Sequence, residues 1–261
     1  MPQFESDGAS VHYEIVGEGP PVLLVAGTAS DGASWAPLTE RLTGHFTLIL
    51  PDNRGSGRTR SEGEIRIADL VDDLAGLIAH LGHERVGVVG HSLGGFLGLS
   101  LAERYPDRVS RLVTMAIGDR FGAKELALFR DMAALYGQVA PQIWFRLLYQ
   151  WLFSDGFFAD SANVAAAAEA STAYPYRQSP EDFARQVRAL EAGAPLDVSK
   201  VRCPTLAIAA GADLLAAPST VLSAHAGIAG AVTVVVEGAG HSLHWEQPDR
   251  VAGVVREFLE G

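Results

Sequence analysis

The chain has 261 residues, a length that suits one large α/β domain or a domain with an insertion. Its 31 acidic residues outnumber its 20 Lys and Arg residues and give a formal net charge of −11. This sign argues against nucleic acids and anionic membrane surfaces as partners, because both bind basic patches.

A single cysteine, Cys203, excludes a disulfide bond within the chain and fits a reducing compartment. Residues 1–8 lack the basic and apolar regions of a signal peptide. No run approaches the roughly 18 apolar residues that a membrane-spanning helix needs. We therefore expect a cytoplasmic protein, and the sequence does not indicate its oligomeric state.

Short apolar runs alternate with amphipathic stretches along most of the chain. Residues 11–16 alternate in polarity, as in an edge strand, whereas residues 21–26 are continuously apolar, as in a strand buried on both faces. Further strands are predicted at 46–50, 86–89, 109–116, 205–209 and 231–236, and helices at 35–42, 67–81, 93–105, 218–225 and 248–259. This alternation predicts an α/β fold with a doubly wound, mostly parallel sheet.

The segment 119–197 interrupts the alternation, since it contains no clear strand and its patterns are helical. It also holds 13 of the chain's 21 aromatic residues. We predict that it is a helical cap over an apolar pocket, inserted into a core of residues 1–118 and 198–261. The candidate substrate-binding residues are Trp144, Trp151 and Phe153, although aromatic residues could equally serve the cap's own core.

Residues 90–94, GHSLG, match the pattern G-x-S-x-G between a predicted strand and a predicted helix. This context indicates a nucleophile elbow, a strained turn that exposes the hydroxyl of Ser92. Glycines are needed at 90 and 94 because a Cβ would clash there. The turn also aims the backbone N–H of Leu93, at a helix N-terminus, toward developing negative charge.

The elbow resembles that of the α/β-hydrolases, and the resemblance extends over almost the whole chain. It implies an eight-stranded sheet of that fold and a triad whose acid and base follow the serine. Asp213, in the loop after the strand at 205–209, matches the position of the acid. Asp119 is the rival for that role, and we favour a helix N-cap as its function.

The base is assigned by the same resemblance to His241, which follows the last strand and precedes an E-x-P sequence. His244, three residues further on, is the competitor and is expected to pack near the pocket mouth or to form a hydrogen bond with the backbone. We interpret His91 as structural, with contact to the pocket floor as the alternative. The remaining histidines belong to no motif and are expected to be solvated: His12, His45, His80, His83 and His225.

The second oxyanion donor should come from the loop after the strand at 21–26. The family usually has His-Gly there, whereas this chain has Ala26-Gly27. The resemblance assigns the donor to the backbone N–H of Thr28, paired with that of Leu93. Residues 52–57, DNRGSG, resemble the family's D-x-R-G-x-G turn, which we interpret as structural.

These residues predict a hydrolase that cleaves a small carboxylic ester or lactone by acyl transfer, with water as the second substrate. No metal or organic cofactor is expected. A serine nucleophile argues against dehalogenases and epoxide hydrolases, and the chain resembles 3-oxoadipate enol-lactonases and aminoacrylate hydrolases. For a carboxylate substrate, an arginine of the cap could bind the anion: Arg120, Arg146 or Arg177.

Two other functions stay open at this point. The first is a cofactor-free perhydrolase or lyase that uses the same triad. The second is a signalling protein that binds a small ligand and turns it over slowly, because fold and triad alone do not determine function.

Overall fold

The computed structural model describes residues 2–261, in which nine strands form one sheet. The strands are β1 (Gln3–Ser6), β2 (Ala9–Val16), β3 (Pro21–Val25), β4 (Thr47–Pro51), β5 (Arg60–Ser61), β6 (Val86–His91), β7 (Val109–Met115), β8 (Thr205–Ala210) and β9 (Val232–Val236). Their order is β1-β2-β4-β3-β6-β7-β8-β9, and the two-residue β5 pairs with β2.

Strands β4 to β9 of this order pair in parallel, and β2 joins them antiparallel to β4. The predicted α/β fold with a mostly parallel sheet is thus confirmed, but the sheet has nine strands rather than the expected eight, because the two-residue β5 adds to β2. The alternating sequence of β2 suggested an edge strand. In the structure β2 is an internal strand, because β1 pairs with its outer side. The β1 sequence QFES contains a single large apolar residue, too weak a pattern to predict a strand.

Each central strand contributes to two separate cores, one on each face of the sheet. In β3, Leu23 and Val25 belong to one apolar cluster, whereas Val22 and Leu24 belong to the other. All four side chains are at most 2% exposed. The apolar run of β3 is continuous because both of its faces are covered, as its sequence predicted.

Eleven α-helices lie within residues 2–261: α1 (Ala36–Leu42), α2 (Ile67–His80), α3 (Leu93–Arg104), α4 (Ala123–Leu135), α5 (Pro141–Leu152), α6 (Asp155–Phe158), α7 (Ser161–Ala173), α8 (Pro180–Ala192), α9 (Pro218–His225), α10 (Leu243–Glu246) and α11 (Pro248–Glu260). Helices α1 and α11 pack on one face of the sheet, and α2 and α3 pack on the other. Short 3₁₀ helices occupy Gly32–Trp35, Pro106–Arg108 and Val198–Lys200. None of the helices described is both long and apolar enough to cross a membrane.

Helices α4 to α8 follow one another between β7 and β8. Where this helical segment leaves and rejoins the sheet, the N–H of Leu196 donates to the carbonyl of Asp119 over 2.9 Å. The predicted capping role of Asp119 is wrong, because the residue before α4 is Gly122 and the Asp119 carboxylate instead pairs with Arg120. Asp119 therefore closes the root of the segment through its backbone.

Candidate active site

Ser92 lies in the turn between β6 and α3 with φ of 52° and ψ of −120°, a conformation that L-residues rarely adopt. The turn is possible because two glycines leave room for the crossing backbone. A Cβ on Gly90 would lie 2.2 Å from the carbonyl oxygen of Gly94, and one on Gly94 would lie 1.9 Å from that of Val25. The strained geometry that G-x-S-x-G predicts is therefore present.

Asp213 and His241 meet across the ends of β8 and β9. The Nδ1 of His241 lies 2.9 Å from Oδ2 of Asp213, and both side chains are at most 1% exposed. The other carboxylate oxygen, Oδ1, accepts from the N–H groups of Leu215 and Ala216 at 2.8 and 3.0 Å. The carboxylate is thus held by the backbone and orients the imidazole, so that its Nε2 is left for other chemistry.

The surroundings of His241 act on its pKa in opposite directions. Burial alone would lower the pKa of the imidazole, but the charge of Asp213 and their hydrogen bond raise it above its ordinary value, with a smaller contribution from Glu125. The imidazolium form is therefore stabilised inside a buried site. This is the property that a general base needs when it accepts a proton during a reaction.

His241 belongs to a cluster of three buried histidines. The ring of His91 lies 4.9 Å from that of His241 and 4.5 Å from that of His244, and the latter ring also packs 5.1 Å from Trp35. Nε2 of His91 lies 2.9 Å from the His241 carbonyl and so supports its backbone. Within residues 2–261, no group of three such side chains is placed to hold a metal ion.

The competitor His244 has no carboxylate partner in this arrangement. Burial, together with the neighbouring His241, lowers the pKa of His244 to about 3, so its ring is neutral near pH 7. The structure thus brings His241, rather than His244, to Asp213. Asp119, the rival acid, does not contact His241.

The loop after β3 lies against the elbow. A Cβ on Gly27 would be 3.3 Å from the Cβ of Ser92, and the next residue, Thr28, lines the same cavity as Ser92. Nδ2 of Asn53 donates to the Ala26 carbonyl over 3.0 Å, and the Ser30 hydroxyl donates to that of Gly27 over 2.9 Å. These bonds fix the loop even though the family's histidine is missing.

The turn at residues 52–57, which resembles D-x-R-G-x-G, is held by hydrogen bonds and lies next to this loop. Oδ1 of Asp52 accepts from the Gly32 N–H over 3.0 Å, and Oδ2 accepts from the Arg58 N–H over 2.8 Å. Arg54 pairs with the buried Asp73, at 2.6 Å between Nε and Oδ2. All of these contacts are structural, in keeping with the prediction for this turn.

A cavity of about 650 Å³ opens above Ser92 and His241. Its floor is made by the loops of the sheet, and its walls are made by helices α5 to α7. Apolar side chains of these helices and of the connection between α5 and α6 provide much of its surface: Phe145, Leu148, Tyr149, Leu152, Phe153 and Phe157. Such a volume and lining are typical of small-molecule sites.

Only one of the three predicted pocket aromatics lines this cavity, namely Phe153. Trp144 is fully buried inside the helical segment, where it stacks 3.9 Å from Tyr136 and donates from Nε1 to the Met132 carbonyl. Trp151 lies on α5 away from the cavity, under the ammonium of Lys124. Both predictions are wrong, because Trp144 belongs to the core of the helical segment and Trp151 is a partly exposed residue that packs against Lys124.

Glu246 joins the helical segment to the loop that carries His241. Its Oε1 accepts from the N–H and the hydroxyl of Ser154, at 3.1 and 2.6 Å. Its Oε2 accepts from the Gly240 N–H over 2.6 Å. The sequence placed Glu246 in the E-x-P motif but gave no sign of this bridging role, which depends on a contact between residues 92 positions apart.

A further carboxyl group near the site, besides those of Asp213 and Glu246, had no predicted role. Glu125, in the first turn of α4, is 5% exposed, and its Oε2 accepts from the Gly122 N–H over 3.2 Å, whereas its Oε1 has no hydrogen-bond partner. Burial raises the pKa of Glu125 to about 7, despite the opposing attraction of His241. Its position in a first helical turn suggests only a cap, so the sequence offered no signal for it.

Two of the histidines expected to be solvated are buried. His12 and His225 are each 1% exposed. The ring of His225 bridges the Thr114 hydroxyl and the Val221 carbonyl, both at 2.8 Å. A lone histidine without a motif can thus be a core residue with satisfied hydrogen bonds.

A family model described as the alpha/beta hydrolase fold matches residues 20–248. The chain belongs to this family. The match contains the elbow, Asp213 and His241, so the family and the site geometry concern the same residues.

Similar proteins include a curated protein named "Putative carbamate hydrolase RutD" from Caulobacter sp. strain K31, which is 29% identical over 92% of this chain and 90% of its own length. Among solved structures, an enol-lactonase from Burkholderia xenovorans LB400 superposes with a TM-score of 0.89 at 26% identity over the whole of both chains. A thermophilic esterase from Thermogutta terrifontis gives 0.85 at 27% identity over 97% of this chain and 93% of its own. This chain is therefore a hydrolase of the α/β-hydrolase fold.

Proposed function

We propose that the chain hydrolyses small carboxylic esters or lactones through Ser92, His241 and Asp213. The observation that carries the proposal is the 2.9 Å contact between His241 Nδ1 and Asp213, beside a strained serine at the floor of a cavity. An enol-lactonase and an esterase among the similar structures support it.

In the first half-reaction, Oγ of Ser92 attacks the carbonyl carbon while Nε2 of His241 takes the hydroxyl proton. The N–H groups of Thr28 and Leu93 donate to the oxyanion of the tetrahedral intermediate. When the C–O bond to the leaving group breaks, the imidazolium returns its proton to the departing oxygen. The acyl group is then esterified to Ser92.

In the second half-reaction, a water molecule attacks the acyl carbonyl and His241 takes its proton. Collapse of the second tetrahedral intermediate breaks the bond to Oγ of Ser92, which regains a proton from the imidazolium. The products are the carboxylic acid and the alcohol, or a hydroxy acid from a lactone. No cofactor takes part in this sequence.

We further propose that residues 119–197 act as a cap, which closes over the bound acyl group and excludes bulk water. The aromatic walls of the cavity come from this segment, whereas the reacting groups come from the loops of the sheet. Water exclusion strengthens the electrostatic interactions that stabilise the oxyanion.

The test compares the wild type with Ser92→Ala on p-nitrophenyl acetate, p-nitrophenyl butyrate and a set of small lactones. We expect Ser92→Ala to lower kcat by about 10⁴-fold or more, since the nucleophile is lost. Incubation with an ester-like phosphonate should add one adduct to the wild type by mass spectrometry, and none to the variant. Ser223→Ala, on the exposed face of α9, is the matched control.

A carbamate is the second candidate substrate, favoured by the name of the curated relatives at 27–29% identity. The same serine would attack its carbonyl and release the alcohol, and water would then free the carbamoyl group from Ser92 as a carbamic acid, which decomposes to carbon dioxide and an amine or ammonia. Parallel assays with ethyl acetate and ethyl carbamate decide between the two, because the substrate class should be the one with the higher Ser92-dependent kcat/KM. A perhydrolase or lyase would be recognised by peroxide-dependent bromination or cyanohydrin cleavage, and a signalling protein by tight ligand binding with very slow turnover of both esters and carbamates.

A further inference from the structure

The cavity above Ser92 has no cationic side chain in its described lining, since neither Lys nor Arg borders it. Its one carboxylate, Glu246, has both oxygens occupied by the Ser154 and Gly240 donors. The lining thus has no group that could form an ion pair with a second carboxylate on a substrate.

The histidines do not supply the missing positive charge. Burial lowers the pKa of both His91 and His244, the second to about 3, so both rings are neutral near pH 7. His241 already pairs with Asp213. The remaining charges close to the base are those of acidic groups, Asp213 and the partly protonated Glu125, which repel an anion.

Three hydroxyl groups of the cavity lining, those of Tyr149, Ser30 and Ser34, are also engaged with the protein, whereas Oγ1 of Thr28 has no hydrogen-bond partner. Tyr149 Oη lies 2.6 Å from Oγ of Ser171 and 3.1 Å from the Ala167 carbonyl. The hydroxyls of Ser30 and Ser34 donate to the carbonyls of Gly27 and Asp31. A carboxylate on the substrate, which can only accept hydrogen bonds, would therefore lose its water without gaining a donor among these three hydroxyls.

The three arginines that could have bound a carboxylate lie outside the cavity lining. Arg120 is 59% exposed and pairs with Asp119. Arg177 is exposed and donates to the Thr172 carbonyl, and Arg146 lies on the exposed face of α5. The sequence could not place these side chains, and the structure removes them from the site.

We infer that the substrate's larger group is uncharged and apolar, and that an ester bearing a second carboxylate is rejected. The inference rests on the proposed function, because it concerns the same cavity. The large group lies against the aromatic and aliphatic walls of α5 to α7, where burial of apolar surface favours binding. A second carboxylate would be desolvated there with no partner.

The experiment compares three ethyl esters with six-carbon acyl chains, namely ethyl hexanoate, ethyl adipamate and monoethyl adipate. They end in a methyl group, a neutral amide and a carboxylate, so charge and polarity are separated. We expect kcat/KM to be at least about 100-fold higher for ethyl hexanoate than for monoethyl adipate, with the amide between them. Values within threefold of each other would overturn the inference.

Binding of the same esters to Ser92→Ala, measured by calorimetry, tests the cavity without any turnover. A lower Kd for ethyl hexanoate than for monoethyl adipate supports the inference even if neither ester is hydrolysed, in which case only the proposed reaction fails. Equal or reversed affinities overturn it, whatever the kinetics of the wild type show.

A pair of arginine variants on α7 sharpens the result. Ala170 is exposed and borders the cavity, whereas Ala165 is exposed on the same helix and does not border it. Ala170→Arg should raise kcat/KM for monoethyl adipate relative to ethyl hexanoate by about 10-fold, since it supplies the missing cation. Ala165→Arg should leave that ratio unchanged, and an equal change in both variants would contradict the inference.

Discussion

The loops of the sheet and the helices above them contribute to one cavity in different ways. In the loops, backbone geometry leaves little choice of residue, since a Cβ at Gly90 or Gly94 would overlap the main chain. In the helices, the cavity is bordered by apolar side chains of several kinds, and its polar groups are bonded internally. In the proposed function, the reacting groups therefore lie where the backbone restricts the choice of residue, and the substrate contacts lie on helices whose side chains are less restricted.

The largest effect is expected from a substitution in the loops of the sheet that removes a charge but keeps the shape of the side chain. Asp213→Asn should keep the fold but lower kcat by about 10⁴-fold, because an amide no longer fixes the tautomer of His241 or stabilises its charged form. Ester hydrolysis with a parallel thermal melt checks this. Asp107→Asn, on the surface, is the control, and a loss below tenfold for Asp213→Asn would contradict the assigned role.

The next variant weakens a connection between the helical segment and the loop that carries His241. Glu246→Gln keeps the size of the side chain but weakens the charge-assisted bonds to Ser154 and Gly240. We expect about 2 kcal/mol of lost stability and about a tenfold lower kcat, since Gly240 precedes His241. Urea unfolding and steady-state kinetics measure both effects, and Glu257→Gln, on the exposed face of α11, should match the wild type.

A second connection should matter less. The Tyr174 hydroxyl, in the helical segment, donates to Oδ2 of Asp31 over 2.9 Å. Tyr174→Phe should cost about 1 kcal/mol of stability, the usual contribution of one such bond, and change kcat less than threefold. Tyr176→Phe keeps the ring under Arg58 and serves as its control; equal losses in both variants would argue against the Asp31 bond.

The smallest effect concerns Glu125, which belongs to the helical segment but acts on the base. Its charge raises the pKa of His241, and a base must be neutral to accept a proton. Glu125→Gln should therefore move the acidic limb of the kcat/KM profile to lower pH, by less than about one unit. Glu169→Gln, exposed on α7, should not move it, and a shift to higher pH would contradict the argument.

The same variant has a stability signature of defined sign. Because burial raises the pKa of Glu125 from 4.5 to about 7, the folded chain binds its proton more tightly than the unfolded chain. The wild type should therefore lose stability as the pH rises from about 4.5 to 7, and Glu125→Gln should lose less over this window. Urea unfolding at several pH values compares the two slopes.

The loops were largely predictable because their constraints are local. The residues of the elbow follow one another in the chain, and Asp213 and His241 each follow a strand whose apolar run is easily recognised. Trp144 was misplaced because pattern alone does not say which side of a packed helix faces a cavity. Glu246 and Glu125 could not be assigned, since their roles depend on contacts between distant parts of the chain.

The hydrogen bond from Leu196 to Asp119 brings the two ends of the helical segment together at a single point. At this root, the distance that the segment spans is therefore no greater than that of a short turn between the neighbouring strands β7 and β8. Changes within these helices should be tolerated in evolution where they spare this point and the contacts that Ser154 and Tyr174 make with the rest of the chain. Proteins descended from one ancestral hydrolase could thus change their substrate range through these helices while the loops of the sheet stay the same.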